Sequence, residues 1–189
     1  MKRTCVVAVL MLVGILPAFP QSGVAFDRLK LSKENLAVLR EVMREAQNPN
    51  AGSSQRPVRK GTVCVFVGSD SGKKKRTAEA LSSTLHTRVE YVDLGKIVSK
   101  YISETEANLR KLFDNAEDAG NVLFFDDSTD LFADRTEVRG DENRYSNQVV
   151  DYLLDRCESY DGLAILATNA KPPLKKALQK IKHRLDFDQ

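Results

Sequence analysis

The sequence predicts an α/β fold in which a mostly parallel sheet is flanked by helices. Short apolar runs rich in β-branched residues alternate with longer segments whose apolar residues recur at helical spacing. The apolar runs are continuous rather than alternating, which is typical of strands buried on both faces of a sheet. Strands that alternate with helices in this way favour parallel pairing, with helices covering both faces.

This alternation begins at Thr62 and continues almost to the end of the chain. The predicted strands are residues 62–67, 88–93, 121–126, 162–168 and 184–187. The predicted helices between them are residues 77–85 (continuing a helix that opens at Lys73), 103–119, 144–160 and 172–180. One helix precedes the alternation. Residues 31–46 carry apolar side chains at helical spacing after a plausible N-cap at Ser32, which predicts an amphipathic helix.

The first 25 residues have the layout of a secretory signal peptide. A basic start precedes an almost wholly apolar run at 4–16, which is too short to span a bilayer, and prolines and small residues follow. Residues 23–25 form the best cleavage site, and the bond after Ser22 is a second option. We expect a secreted or periplasmic protein without a transmembrane helix after cleavage. The alternative is a membrane anchor formed by an uncleaved N-terminus.

Three parts follow from these patterns: a signal peptide at 1–25, an amphipathic helix and linker at 26–60, and one globular domain at 61–189. Asn, Pro, Gly and Ser residues mark the linker. The whole chain has 189 residues and is 42% hydrophobic, which suits a single core.

Composition argues against several kinds of site. Cleavage would remove two of the 29 basic residues and none of the 26 acidic ones, so the mature chain is close to neutral and nucleic-acid binding is not expected. Cys64 and Cys157 lie in a predicted strand and a predicted helix, which indicates two small buried residues rather than a disulfide framework. With only two histidines and no close cysteine pair, no zinc or haem site is predicted.

A glycine-containing loop joins the first predicted strand to a helix. That arrangement lets backbone N–H groups hold phosphates, and its usual sequence is G-x-x-x-x-G-K-[ST]. Here Gly68 is the first glycine and Lys74 the lysine, while Gly72 is displaced by one position. Lys73 stands where the last glycine belongs, and Lys75 where the magnesium-binding hydroxyl belongs. We therefore predict an altered phosphate loop. Because the apolar strands supply a core that is independent of this loop, Lys74→Ala should change stability by no more than about 0.5 kcal/mol, as a surface change would.

Polar residues end two later strands of the predicted sheet. Asp126 and Asp127 follow the third strand, and Asn169 follows the fourth. In an open parallel sheet, ligand groups lie at the carboxyl ends of the strands, and a carboxylate there is a usual means of holding Mg²⁺ near a nucleotide.

Residues from about Lys60 to Phe187 resemble the large domain of the AAA family of P-loop ATPases. The resemblance rests on residues 91–113, on 126–138, where the family has Asp-Glu-Ala-Asp, and on 163–169, which match the strand ending in the family's sensor asparagine. It implies the α/β core of that family without its helical lid, since the sequence stops at Gln189.

The resemblance also implies roles for individual residues. Lys74 corresponds to the phosphate lysine, Asp126 to the Mg²⁺ acid and Asn169 to the group that orients the attacking water. Asp127 corresponds to the catalytic glutamate, and Tyr101 falls on the loop that usually grips a threaded polypeptide. A half-buried loop aromatic is the alternative interpretation of Tyr101.

Departures from the family concentrate where catalysis would occur. Ser71 and Lys73 place Cβ atoms where the backbone must approach phosphate. Lys75 has no acceptor for a metal, and Asp127 is one methylene shorter than glutamate. In the segment after the sensor strand, Lys180, Lys182 or Arg184 would be at best partial substitutes for arginines.

These departures predict a catalytically degenerate domain whose binding of ATP and Mg²⁺ is impaired. It would act as a partner-binding or assembly module, for an unknown protein partner or in a homo-oligomer. Two alternatives remain open: a functional ATP-binding protein with ATP hydrolysis activity, and an anion- or nucleic-acid-binding module using residues 73–76. An exported protein would not generally meet an ATP pool, which disfavours the first alternative.

Overall fold

A computed structural model describes residues 26, 29–47, 61–127, 131–134, 141–169 and 173–188 of the chain. The predicted signal peptide, its cleavage site and residues 48–60 of the predicted linker at 47–60 lie outside these described residues, and Gln47 is the last residue of the first helix. No helix in the described ranges is long and apolar enough to cross a membrane.

Helices and strands alternate as the sequence predicts. In chain order the elements are α1 (Lys33–Gln47), β1 (Thr62–Val67), α2 (Ser71–Thr84), β2 (Val89–Asp93), α3 (Leu94–Ile97), α4 (Ile102–Ala119), β3 (Val122–Asp127), α5 (Asp141–Ser159), β4 (Leu163–Thr168), α6 (Lys176–Gln179) and β5 (His183–Asp186).

The five strands form one parallel sheet in the order β2-β3-β4-β1-β5. This confirms the predicted α/β fold with a parallel sheet. Because all five strands run in the same direction, their carboxyl ends meet at one edge. There Val67 of β1 and Asp127 of β3 both lie in register with Thr168 of β4.

Helices bury both faces of the sheet, as expected for strands with continuous apolar sequences. One core contains Leu109 and Phe113 of α4 with Val149 and Leu153 of α5. The other core contains apolar residues of α1 and α2, namely Leu39, Val42, Ala78 and Leu81, packed with Phe66 and Phe124 of the sheet.

Helix α1 packs against the edge strand β5 as well as the core. The Asn35 side chain donates from Nδ2 to the carbonyl of Asp186 at 2.7 Å and accepts from its N–H at 3.3 Å. This side-chain amide therefore completes backbone hydrogen bonds at the open edge of β5, as a neighbouring strand would.

Several helix starts differ from the sequence-based expectation, and at two of them a side-chain cap that the sequence analysis did not identify accounts for the difference. Helix α2 begins at Ser71 because Asp70 accepts a hydrogen bond from the Lys73 N–H at 2.7 Å. Helix α3 was not predicted. Its N-cap is Asp93, whose carboxylate accepts from the Gly95 N–H at 3.0 Å.

Candidate functional site

The candidate site lies at the carboxyl edge of the sheet, where four strands end side by side. The loop after β1 leads into α2, and the ends of β3, β4 and β5 face it. The structure brings together residues that the sequence singled out at separate positions, namely Gly68, Gly72, Lys73, Lys74, Lys75, Asp126, Asp127 and Asn169.

Gly68 begins the loop with a backbone that favours glycine. Its φ is +132°, and a Cβ added there would lie 3.0 Å from the Asp188 Oδ1 atom and 3.1 Å from the Asp188 nitrogen. The Gly68 N–H donates to the Thr168 carbonyl at 3.2 Å, which joins the start of the loop to the end of β4.

Gly72 and Lys73 lie in the first turn of α2. A Cβ at Gly72 would make only ordinary contacts of 3.4 Å, with Arg76 and Asp70. The surrounding protein therefore does not require glycine at position 72. The Lys73 N–H, a potential phosphate donor, is already bonded to the Asp70 carboxylate.

Lys74 is buried rather than exposed, with 1% of its surface accessible. Its ammonium donates to the Gly68 carbonyl at 2.7 Å, the Thr168 carbonyl at 2.9 Å and the Asn169 Oδ1 atom at 2.6 Å. The assumption that a change at Lys74 is a surface change is therefore wrong, because the side chain is buried. Three acceptors at the strand ends form a binding site for the ammonium, and it holds the loop to β4.

Burial lowers the pKa of Lys74 because removal from water disfavours its charged form. Nearby carboxylates, with Asp126 first and Asp188 next, oppose that shift. The negative charges of these carboxylates thus partly compensate the positive charge of the buried Lys74 ammonium.

Lys75 points to the end of β3. Its ammonium lies 3.2 Å from the Asp126 carboxylate, the residue to which the family resemblance assigns the metal. It also lies 5.9 Å from the centre of the Tyr91 ring, and the Tyr91 hydroxyl donates to Glu79 at 3.0 Å. A lysine ammonium therefore occupies the position next to Asp126 where a cation would be expected.

Asp127 is buried, with 1% of its surface accessible, and it caps the chain that follows β3. Its two carboxylate oxygens accept from the backbone N–H groups of Leu131 at 2.9 Å and Phe132 at 3.0 Å. One of these oxygens also lies 3.4 Å from the Thr168 hydroxyl. These contacts give Asp127 a structural role.

Asn169 lies beside the loop, as expected for a residue that follows β4. Its Oδ1 atom accepts from the Lys74 ammonium and, at 3.3 Å, from the Ser71 hydroxyl. The sequence placed Lys74 and Asn169 at the same edge, and the structure brings them into direct contact.

Asp188 is a site residue that sequence reasoning missed. One oxygen of its carboxylate accepts from both the N–H and the hydroxyl of Ser69, at 2.7 Å each. The only available signal was an acidic residue just beyond the last strand, and that pattern is too common to indicate a loop contact.

Tyr101 and Lys182 are two further positions that the sequence singled out. Tyr101 has 59% of its surface accessible, so it is exposed rather than half-buried. Lys182 forms ion pairs with Glu41 at 2.8 Å and Glu45 at 2.7 Å on α1. The ammonium of Lys182 is therefore paired with carboxylates of α1.

Comparison with known proteins identifies the family. Residues 64–189 match the sequence model of the "ATPase family associated with various cellular activities (AAA)". The chain is 27% identical over 132 residues to the peroxisomal ATPase PEX6 of Kluyveromyces lactis, an alignment covering 68% of this chain and 13% of that protein. It is 25% identical over 158 residues to the peroxisomal ATPase pex1 of Schizosaccharomyces pombe, covering 82% of this chain and 17% of that protein. The chain thus spans only a small part of the length of these relatives.

Proposed function

Because this chain belongs to the AAA family of ATPases, we propose that it is a catalytically degenerate member of that family. In this proposal the domain serves as a partner-binding or assembly module and binds nucleotide weakly at most. The relatives named as peroxisomal ATPases support the view that this domain derives from an ATP-hydrolysing ancestor. The contacts at the loop support the loss of hydrolysis.

The observation that carries the proposal is the ion pair between Lys75 and Asp126 at 3.2 Å. A metal at Asp126 would meet an ammonium that has no lone pair to offer. Lys75 is partly exposed and can turn toward solvent, but the hydroxyl ligand usual at this position is still missing. The residues present therefore do not fit Mg²⁺.

The phosphate side of the site supports the same proposal. The Ser69 N–H is bonded to Asp188, the Lys73 N–H to Asp70, and the Lys74 ammonium to three protein oxygens. An incoming phosphate would have to displace these acceptors, two of which are carboxylates of its own charge sign. Weak binding follows from that competition.

Asp127 offers no free carboxylate for activating water. Its oxygens bond to two backbone N–H groups and its side chain is buried. A general base must reach the proton that it removes, and geometry comes before pKa in judging a candidate. We accordingly assign Asp127 to the fold and not to catalysis.

Export remains part of the proposal and rests on the sequence of residues 1–25 alone. An exported domain meets partners outside the ATP-containing compartment, which suits a module that does not hydrolyse nucleotide. N-terminal sequencing of the protein from its native cells tests this point. The first residue should lie between Phe19 and Asp27, and intact Met1 in a soluble cytoplasmic fraction would contradict export.

Changing Lys75 tests the metal argument directly. In the full chain, Lys75→Thr restores a hydroxyl and frees Asp126, so ATP binding should become dependent on Mg²⁺ and tighten by about tenfold, or 1.4 kcal/mol. Calorimetric titration with ATP, with and without Mg²⁺, measures both effects. The unmodified chain should bind ATP weakly and equally in the two conditions.

Lys96→Thr is the matched control, because the exposed side chain of Lys96 on α3 pairs with Asp93 at the end of β2. That change removes the same charge without touching the loop, and it should leave ATP binding as in the unmodified chain. Strong Mg²⁺-dependent binding by the unmodified chain would contradict the proposal.

A further inference from the structure

We propose that the Asp188 carboxylate is an internal anion that closes the phosphate loop against external phosphates. This inference rests on the proposed function and assigns the residue that enforces it. Asp188 follows β5, 119 residues from Ser69 in the chain, yet one of its oxygens accepts two hydrogen bonds from that loop residue. A carboxylate oxygen and a phosphate oxygen are the same kind of acceptor, so each excludes the other from these donors.

Crowding at Gly68 makes that exclusion steric as well as electrostatic. Asp188 packs directly against Gly68. A Cβ at position 68 would lie only 3.0 Å from the Asp188 Oδ1 atom and 3.1 Å from the Asp188 nitrogen. Asp188 therefore fills the space beside Gly68, and a phosphate oxygen could enter that space only by displacing the carboxylate. A bound anion would also face the negative charge of Asp188 at short range.

The surrounding chain holds Asp188 in place before any ligand arrives. The Asp188 N–H donates to the Asp186 carboxylate at 3.0 Å, and the Phe187 N–H donates to the Val67 carbonyl at 2.8 Å. The Phe187 ring packs against Phe66 with centroids 5.1 Å apart. Helix α1 also contributes, because Asn35 binds the backbone of Asp186. The position of the carboxylate is therefore set by β5 and α1.

Removing the negative charge of Asp188 should allow the loop to bind phosphate-containing anions in the absence of divalent metal. Asp188→Asn keeps the size of the side chain but weakens the acceptor and removes the repulsion. Inorganic tripolyphosphate, added to the full chain without divalent metal, is the probe. We expect it to bind Asp188→Asn about tenfold or more tightly than the unmodified chain. The Ser69 amide resonance should shift with tripolyphosphate in the variant and stay unchanged at the same concentration in the unmodified chain.

Asp155→Asn is the control, since Asp155 is exposed on α5 and its replacement changes net charge equally. If that variant gains the same affinity, the effect is one of overall charge and the inference fails. Equal affinity of Asp188→Asn and the unmodified chain would also overturn it.

Ser69→Ala supplies a second test if Asp188→Asn does not fold. It removes the hydroxyl bond to Asp188 and keeps the N–H, so a smaller gain in tripolyphosphate affinity is expected, and no gain would overturn the inference. These outcomes are separate from those of the proposed function, which fails if the unmodified chain hydrolyses ATP, whatever Asp188→Asn does.

Discussion

Lys74, at the position that the family resemblance gives to the phosphate lysine, has structural contacts of its own. Four methylenes and an ammonium are withdrawn from water, which is unfavourable unless the ammonium is hydrogen-bonded. Two backbone carbonyls and the Asn169 amide oxygen supply those bonds. The lysine therefore stabilises the junction between the loop and β4.

Lys74→Ala should accordingly destabilise the protein by about 2–4 kcal/mol. It removes buried packing and leaves acceptors unpaired, each of which costs roughly 1–3 kcal/mol. The variant no longer has to bury the charged Lys74 ammonium, and this gain offsets part of the loss of stability. Urea unfolding measures the change. Arg76→Ala on the exposed side of the same helix is the control and should stay within about 0.5 kcal/mol. Equal stability of the two variants would show that the Lys74 contacts do not contribute to the free energy of unfolding.

At this scale the sequence predicted the site in part. Lys74, Asp126 and Asn169 could be placed at one edge because they follow strands of a parallel sheet. The Lys75–Asp126 pair could not be foreseen, since the direction of a long side chain depends on its neighbours in space. Asp188 was missed for the same reason: its contact spans the sheet and leaves no local pattern.

At the level of secondary-structure elements, the position of α1 on the sheet was the hardest to predict from the sequence. Its apolar spacing predicted an amphipathic helix, but the pattern cannot say which surface such a helix covers. The structure places it against β5, where Asn35 binds the strand edge and Glu45 lies 2.7 Å from both Lys182 and His183. Polar contacts at both ends of α1 thus add to its apolar packing.

The contribution of Glu45 should depend on pH. Burial acts to raise the pKa of Glu45, but hydrogen bonds from Lys182 and His183 outweigh burial, so its pKa lies below the ordinary 4.5. A carboxyl with a lowered folded pKa adds stability that is fully present above the ordinary value and lost as pH falls through the lowered one. Because Glu45 is about a third exposed, solvent limits this contribution to about 1 kcal/mol or less.

Unfolding of Glu45→Gln measured across that pH range tests this. The variant should be less stable than the unmodified chain above pH 4.5, and the difference should vanish in more acidic solution. Glu34→Gln in the exposed first turn of α1 should show a much smaller difference. A Glu45→Gln difference that grows as pH falls would have the wrong sign.

On the scale of the whole molecule, the fold was more predictable than the chemistry. Continuous apolar strands alternating with helices can bury their surface in few ways other than a covered parallel sheet, and the family's sequence pattern supports the same core. The fold therefore does not depend on a loop that matches the usual phosphate-loop sequence. The ion pairs and carboxylate contacts at one sheet edge are the features on which the proposed loss of nucleotide chemistry rests.

Loss of hydrolysis is the central claim, and phosphate release tests it most directly. The unmodified full chain is supplied with ATP and Mg²⁺, and steady release of phosphate is compared with that of Asp126→Asn. Losing one charge-stabilising group commonly slows a reaction by ~10²–10³. Because several groups are altered here, both proteins should release phosphate only at the background rate. Steady release by the unmodified chain that Asp126→Asn abolishes would contradict the account.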